Sequence, residues 1–308
     1  MIKTAGLVKK YGRVAALQGL DLEVPTGAVY GFIGQNGAGK TTTLRILAGL
    51  LMPDEGWAEL AGRNVVRDPR GVRQVVGYMP DFFGVYDDLR VGEYMLFYAS
   101  AHGIRGAAAH KLRDDLLELV ELGSKREAFV DTLSRGMQQR LCLARSLIHD
   151  PAVLLLDEPA SGLDPLARVE MREILRELCR MGKTIIISSH ILSELADLCT
   201  HVGMIREGRL LRQGPLNEML AGDRVRRFIM RCIGPEEGAA GLIGGWPGAV
   251  VSNTGHGQVE FSLTGDAAEA AALLKEIVSV GTQVTHFAQT EQSLEDTFIQ
   301  LAREVNGA

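Results

Sequence analysis

The stretch Gly34-Gln35-Asn36-Gly37-Ala38-Gly39-Lys40-Thr41-Thr42 restricts what this chain can fold into more than any other. It fits the pattern G-x-x-x-x-G-K-[ST], with Gly34, Gly39, Lys40 and Thr41 in the fixed places. Residues 28–33 before it form an apolar run of strand type, and 42–50 after it place Leu44, Leu47 and Ala48 on one helical face. Strand, glycine loop and helix start, in that order, make a phosphate cradle rather than a plain connecting turn. Glycines 34, 37 and 39 let successive N–H groups face inward around phosphate oxygens. The helix N-terminus adds partial positive charge at the same spot. The pattern assigns Lys40 to the β- and γ-phosphates and the Thr41 hydroxyl to Mg²⁺, with Asn36, Ala38 and Thr42 completing the cradle.

A chain of 308 residues with 46% hydrophobic and 23% charged content has the composition of a globular protein with one large or two ordinary domains. Its net charge of −5 gives no support to a nucleic-acid binder with a bulk basic surface. Cys142, Cys179, Cys199 and Cys232 form no C-x-x-C pair, which points to idle thiols in a reducing compartment. Met1-Ile2-Lys3-Thr4 leads into no apolar signal core, and the longest apolar runs, near 152–156 and 184–187, are far short of a membrane span. A membrane role is therefore expected to run through a partner.

Strand-like pieces lie around Leu7-Val8 and at 20–24, and 25–27 is a turn. Two readings of Tyr11 stand side by side: an ordinary exposed tyrosine, or an aromatic face stacked on a purine. Residues 56–77 read as strand-like and turn-rich, and 75–79 as an apolar strand ending at Pro80-Asp81. From 90 to 149 strand signals vanish and Leu112, Leu116, Leu119 and Val120 recur at helical spacing, predicting an all-helical insert. Ser134 is placed to cap a helix striped by Met137, Leu141, Ala144 and Ile148. The run 152–156 is the signature of a strand buried on both faces, and it delivers Asp157 and Glu158 at its carboxyl end. Asp164-Pro165 opens a helix striped by Ala167, Met171, Ile174, Leu178 and Met181 and closed by Gly182. A further buried strand at 184–189 leads to His190 and a helix through Leu198, and 204–210 holds a hairpin. Strands and helices in alternation predict an α/β sheet with ligands at the strand carboxyl ends. Past about 222 the order β-α-β-β-α-β-α, with a turn at 253–257 and a last helix at 293–305, predicts a small ferredoxin-like sandwich of accessory or regulatory kind.

Together, the phosphate loop, Leu133-Ser134-Arg135-Gly136-Met137-Gln138-Gln139-Arg140, Leu154-Leu155-Leu156-Asp157-Glu158-Pro159 with Ser161-Gly162-Leu163-Asp164, and His190 resemble the nucleotide-binding domains of ATP-binding-cassette (ABC) transporters over residues 1 to about 220. The resemblance implies a P-loop ATPase domain at 1–222 with a helical subdomain at about 83–150, and an accessory domain at 223–308. It implies ATP and Mg²⁺ as cofactors. By the same resemblance Asp157 holds the metal, Glu158 is the general base that deprotonates the attacking water, and His190 is the switch that touches the γ-phosphate. Ser134 and Gly136 would contact the γ-phosphate bound by a second copy, and Ser161 and Asp164 would link the two sites. The implied partners are separate membrane-spanning subunits and a second ATPase subunit, most simply an identical one, on the cytoplasmic face of the membrane.

The sequence departs from the family at three places. Arg135 and Met137 stand where the common signature has Gly and Gln or Glu, a variant similar to the drug-, antibiotic- and polysaccharide-exporter branch. Gln35 replaces a proline. Asp81 takes the place of a glutamine that touches Mg²⁺ or water, and remains a candidate metal ligand. The segment Gln292-Ser293-Leu294-Glu295-Asp296-Thr297-Phe298 also resembles that branch's C-terminal extension. Two other functions compete with the exporter reading. A soluble ABC-type ATPase acting on DNA or ribosomes would carry long heptad insertions or two cassettes, and neither is present. A non-hydrolysing ATP sensor has no need of both Asp157 and Glu158.

Overall fold

The computed structural model describes residues 1–82, 84, 88–190, 197–220, 225–234 and 236–290. The chain divides into two compact units, Met1–Leu216 and Asn217–Ala308. In the first unit, β1 (Ile2–Tyr11), β2 (Val14–Leu20), β3 (Glu23–Val24), β4 (Val29–Ile33), helix α1 (Lys40–Leu47), β5 (Glu55–Leu60) and β6 (Arg63–Asn64) follow in turn. An antiparallel sheet takes the order β2-β1-β5-β6, with β3 also paired to β1. Leu20, Leu22 and Val24 point into the core, with Asp21 and Glu23 exposed between them.

A second sheet is built from β4, β7 (Val76–Met79), β8 (Val153–Asp157), β9 (Thr184–Ser189), β10 (His201–Arg206) and β11 (Arg209–Pro215). Its order is β11-β10-β4-β9-β8-β7, parallel throughout except for β11, which closes a hairpin with β10. Every residue of β4, β8 and β9 is buried, as continuous apolar runs require. Helix α1 packs against β2 and β5 of one sheet and β8 of the other, and Leu44, Leu155, Ile186 and Leu20 share one core. Register sets the site: Asp157 lies beside Ser188, and Ile33 beside Ser189. The residues that follow β4, β8 and β9 therefore leave the sheet along one edge.

Residues 56–77, read above as strands and turns, contain a helix, α2 (Pro69–Val75), with Asp68 as its N-cap accepting from Gly71 N at 2.9 Å. The Asp-Pro start is the same signal that marked Asp164-Pro165. Seven residues with a glycine inside carry too little periodicity for the rest of the helix to show. The insert is helical among its described residues, with α3 (Val91–Ala101), α4 (Gly106–Leu119), α5 (Arg135–Ser146) and short 3₁₀ turns between α4 and α5. On α4 the buried positions are Ala109, Leu116 and Leu117, followed by Val120, while Leu112 and Leu119 are only half-buried. Helix α5 is buried almost all round, Gln139 and Arg140 included. Helix α6 (Pro165–Arg180) buries Met171, Ile174, Leu175 and Leu178, but Met181 lies past its end and is 58% exposed.

In the second unit β12 (Val225–Ile233), helix Glu237–Gly245, β13 (Ala249–Gly255), β14 (Gln258–Thr264), helix Ala267–Ser279 and β15 (Gln283–Thr290) form a sheet of order β13-β14-β12-β15, antiparallel throughout, the split β-α-β arrangement of a ferredoxin-like domain. The β13–β14 turn is two residues, His256-Gly257, both at positive φ, so the strands run through 253–255 where a longer turn was expected. Phe228, Met230, Val259, Phe261 and Leu263 pack with Ile243, Leu273 and Ile277. The expected helix at 293–305 and the segment 292–298 lie outside the described residues, as do 191–196 of the helix expected after His190 and four residues at the start of the expected helical subdomain.

Candidate nucleotide site

The chain leaves β4 at Gly34 and enters α1 at Lys40. A Cβ at Gly34 would lie 2.4 Å from the Ile205 carbonyl, and one at Gly39, where φ is +110°, 2.6 Å from that of Ala16. No side chain fits at either end of the loop. Gln35, Asn36 and Gly37 are exposed at its tip, Ala38 is buried and Thr41 and Thr42 are half-buried. Lys40, 6% exposed, donates from Nζ to the carbonyls of Gly34 at 2.6 Å and Gln35 at 3.3 Å. Thr43 Oγ1 returns to the Gly39 carbonyl at 2.9 Å.

Across the sheet edge, Asp157 is 1% exposed. Its Oδ1 accepts from Ser188 Oγ at 2.6 Å, and its Oδ2 is buried without a hydrogen-bond partner. Burial pushes this carboxyl above the usual range. The hydroxyls of Ser188 and Thr41 act against that, and the charges of Asp81 and Glu158 add to it. Glu158 stands at φ +51°, with its N–H shared between the Ser188 carbonyl at 3.2 Å and hydroxyl at 3.0 Å. Its carboxylate bridges two cation-forming groups: Oε1 is 3.3 Å from Lys40 Nζ and Oε2 is 2.7 Å from His190 Nδ1. Asp81 is exposed at the end of β7, near enough for its charge to act on Asp157 and Tyr78.

A second group forms at the start of α5. Ser134 caps the helix, its Oγ accepting from Met137 N at 3.3 Å, and Gly136 lies against Leu163 and Ala167. Asp164 caps α6, its Oδ1 accepting from Ala167 N at 2.9 Å. The two groups meet at the 158–161 turn, where Ser161 N donates to the Glu158 carbonyl at 3.0 Å. Tyr11 belongs to neither group. It is 48% exposed at the tip of the β1–β2 hairpin, whose second strand carries the Ala16 carbonyl against Gly39.

Sequence reasoning did not find Ser188 or Gln139. Ser188 orders both acids, and its signal was a hydroxyl at the carboxyl end of an apolar strand. Gln139, 2% exposed, donates from Nε2 to the Ser161 carbonyl at 3.2 Å, and its signal was a polar residue on the buried side of α5. A glycine loop with no room for side chains at either end, a carboxylate held against a buried lysine, and an unsatisfied buried carboxylate oxygen have the chemistry that phosphoryl transfer to water needs.

Among known proteins, residues 17–161 match the family model described as ABC transporter, and 222–302 match that of the ATP-binding protein DrrA1-3-like C-terminal domain. The bacitracin transport ATP-binding protein BcrA of Bacillus licheniformis is 36% identical over 302 residues, 98% of this chain and 97% of its own. Nod factor export ATP-binding protein I of Burkholderia lata is 42% identical over 228 residues, 74% of this chain and 75% of its own. The solved ATP-binding subunit of an ABC transporter superposes with a TM-score of 0.64 at 28% identity, covering 72% of this chain and 92% of that one.

Proposed function

The chain belongs to the ABC transporter ATP-binding family, and from that premise we propose how its own residues divide the work. It is the ATP-hydrolysing subunit of an export transporter. The loop amides of 34–42 and Lys40 bind the triphosphate, with Tyr11 a stacking face for the base. Glu158 takes a proton from the attacking water, and His190, on the same carboxylate, answers to the γ-phosphate. Lys40 is satisfied by Gly34, Gln35 and Glu158, so arriving β- and γ-phosphates compete for Lys40 and release the base.

Among the described residues no three His, Cys, Asp or Glu side chains gather to cage a metal. The unpartnered Oδ2 of Asp157 and the nearby Thr41 hydroxyl are hard oxygen donors of the kind that would suit Mg²⁺. Thr41 and Asp157 would hold Mg²⁺, with Asp81 as a further ligand, and the ion would neutralise charge on the phosphates. Ser134 and Gly136 would cap the γ-phosphate held by a second copy of the chain, with Asp164 shaping the join, so that the working unit is a pair closing on two ATP. Among the described residues no helix is long and apolar enough to cross a membrane. The reading places the chain on the cytoplasmic face, bound to separate membrane-spanning subunits, with no nucleic acid involved.

One observation carries this: the Glu158 carboxylate held between Lys40 and His190 at the mouth of the phosphate loop. The test is Glu158→Gln. It should lower turnover by at least about a hundredfold and elute as a dimer with ATP where the wild type does not. Hydrolysis at the wild-type rate would remove Glu158 as the base.

A further inference from the structure

Arg135 breaks a local rule. It is the first residue of α5, where the helix dipole disfavours a cation. Among the described residues no ion pair or hydrogen bond compensates for that placement. Rule-breaking residues with no evident structural gain are where functional constraint is to be sought.

What Arg135 does touch is the 161–164 turn. Its guanidinium covers Gly162: a methyl placed there would fall 2.6 Å from Cζ and Nη1 and 3.0 Å from Nη2. Gly162 also stands at φ +68°, so glycine is wanted there for conformation, and a Cβ would displace the guanidinium. Two further contacts hold the turn to α5, the Gln139 bond to the Ser161 carbonyl at 3.2 Å and the seat of Gly136 on Ala167, where a Cβ would come to 3.0 Å. The turn in its turn hangs on the general base through the 3.0 Å bond from Ser161 N to the Glu158 carbonyl. A short run of contacts therefore joins the start of α5 to Glu158.

We infer that Arg135 is a positioning residue which, by pressing its guanidinium plane on Gly162, fixes the 161–164 turn and through it the general base of its own chain. This rests on the paired-subunit reading above. In that pair the α5 end caps one nucleotide while Glu158 works on the other, so Arg135 links capping at one site to hydrolysis at its neighbour. The plane matters as well as the charge, because a guanidinium lies flat on a peptide and an ammonium does not.

The test is steady-state ATP hydrolysis by the full chain as wild type, Arg135→Ala, Arg135→Lys, Gly162→Ala and the Arg135→Ala/Gly162→Ala pair, each first checked for an unchanged thermal midpoint or corrected for folded fraction. Arg135→Ala should lower kcat roughly tenfold while moving the half-saturating ATP concentration less than about twofold. Arg135→Lys should recover less than half of that loss. Gly162→Ala, which pushes the guanidinium away and also strains the turn at its positive φ, should cost at least as much, and the pair should be no slower than Gly162→Ala alone, because that variant already removes the Arg135 contact. A kcat for Arg135→Ala within about twofold of wild type, full recovery with Lys, or losses that multiply in the pair would overturn the inference. Sizing with ATP separates it from its premise. A dimer for Glu158→Gln with and without Arg135→Ala supports a role in positioning. A dimer lost only when Arg135→Ala is added makes Arg135 an assembly contact and overturns the positioning role. No dimer in either case overturns the paired-subunit reading and the inference with it.

Discussion

At the scale of single residues, Lys40 is fully engaged by its own chain. Its ammonium bonds two loop carbonyls and lies 3.3 Å from a carboxylate, all of it nearly out of solvent. On the reading proposed above a phosphate displaces that carboxylate, and the Lys40–Glu158 pair then opposes nucleotide binding. ADP, which carries no γ-phosphate to drive closure, reads the competition alone: Glu158→Gln should bind ADP about fivefold more tightly, equivalent to roughly 1 kcal/mol. Lys40→Ala should weaken ADP about thirty- to a hundredfold, as loss of a charged hydrogen bond implies. Calorimetric titration of both variants checks this, and equal affinity for Glu158→Gln and wild type would show that the pair does not compete. The sequence displayed Lys40, Asp157 and Glu158 because each sits at a fixed offset from a strand end or a glycine. It hid the bridge between Lys40 and Glu158, since a contact spanning more than a hundred residues depends on sheet register. The contacts of Ser188 with Asp157 and of Arg135 with Gly162 were hidden for the same reason, the partners being 31 and 27 residues away.

At the scale of elements, the apolar runs of β8 and β9 were legible because burial on both faces leaves no polar position to confuse the pattern. Helix α2 was not, and the stripe on α4 was displaced, because which of several leucines faces inward is decided by the neighbouring helix. The insert meets the parallel sheet at a histidine pair. His102, at the end of α3, stacks on His149 with ring centroids 4.5 Å apart and planes within 2°. His149 Nε2 lies 2.9 Å from the Val76 carbonyl and therefore carries the proton, while Nδ1 is buried without a partner. Burial holds the His149 pKa below the ordinary imidazole value. The Val76 carbonyl and Asp150 act against that, and His102 and Lys183 reinforce it. With its folded-state pKa depressed, the native chain binds fewer protons than the unfolded one as pH falls through the unfolded value of about 6.5. Stability from this group is present above that value and is lost below it. Between about pH 7 and pH 5.5 the thermal midpoint should fall in wild type by about 2–4 °C more than in His149→Gln, whose amide still donates to Val76. Equal pH slopes for the two would remove His149 from the acid response.

At the scale of the whole molecule, two cores with no residue in common imply two folding units. One gathers Leu20, Leu44, Leu155 and Ile186 between the sheets of the first unit, and the other gathers Phe228, Met230, Phe261 and Leu273 on one face of the C-terminal sheet. The change of character past about 222 was visible in sequence as a shift from strand–helix alternation to a β-α-β-β order, whereas how the last eighteen residues complete the second unit lies outside the described chain. A boundary at 222/223 is the proposal, and it makes a demand on each half. Residues 1–222 retain every cradle and acid residue and should bind ATP with an affinity within about threefold of the full chain. Residues 223–308, close to the size below which a single core becomes marginal, should melt cooperatively with about 5 kcal/mol of stability. Phe261→Ala, removing the ring that stacks on Phe228 in the Phe228–Phe261–Phe287 cluster, should remove about 3–5 kcal/mol and unfold the fragment. The same substitution in the full chain should leave ATP binding intact, because the first unit's core shares nothing with it. A 1–222 fragment that fails to fold, or a Phe261→Ala full-length chain that loses nucleotide, would mean that the two cores are one cooperative system.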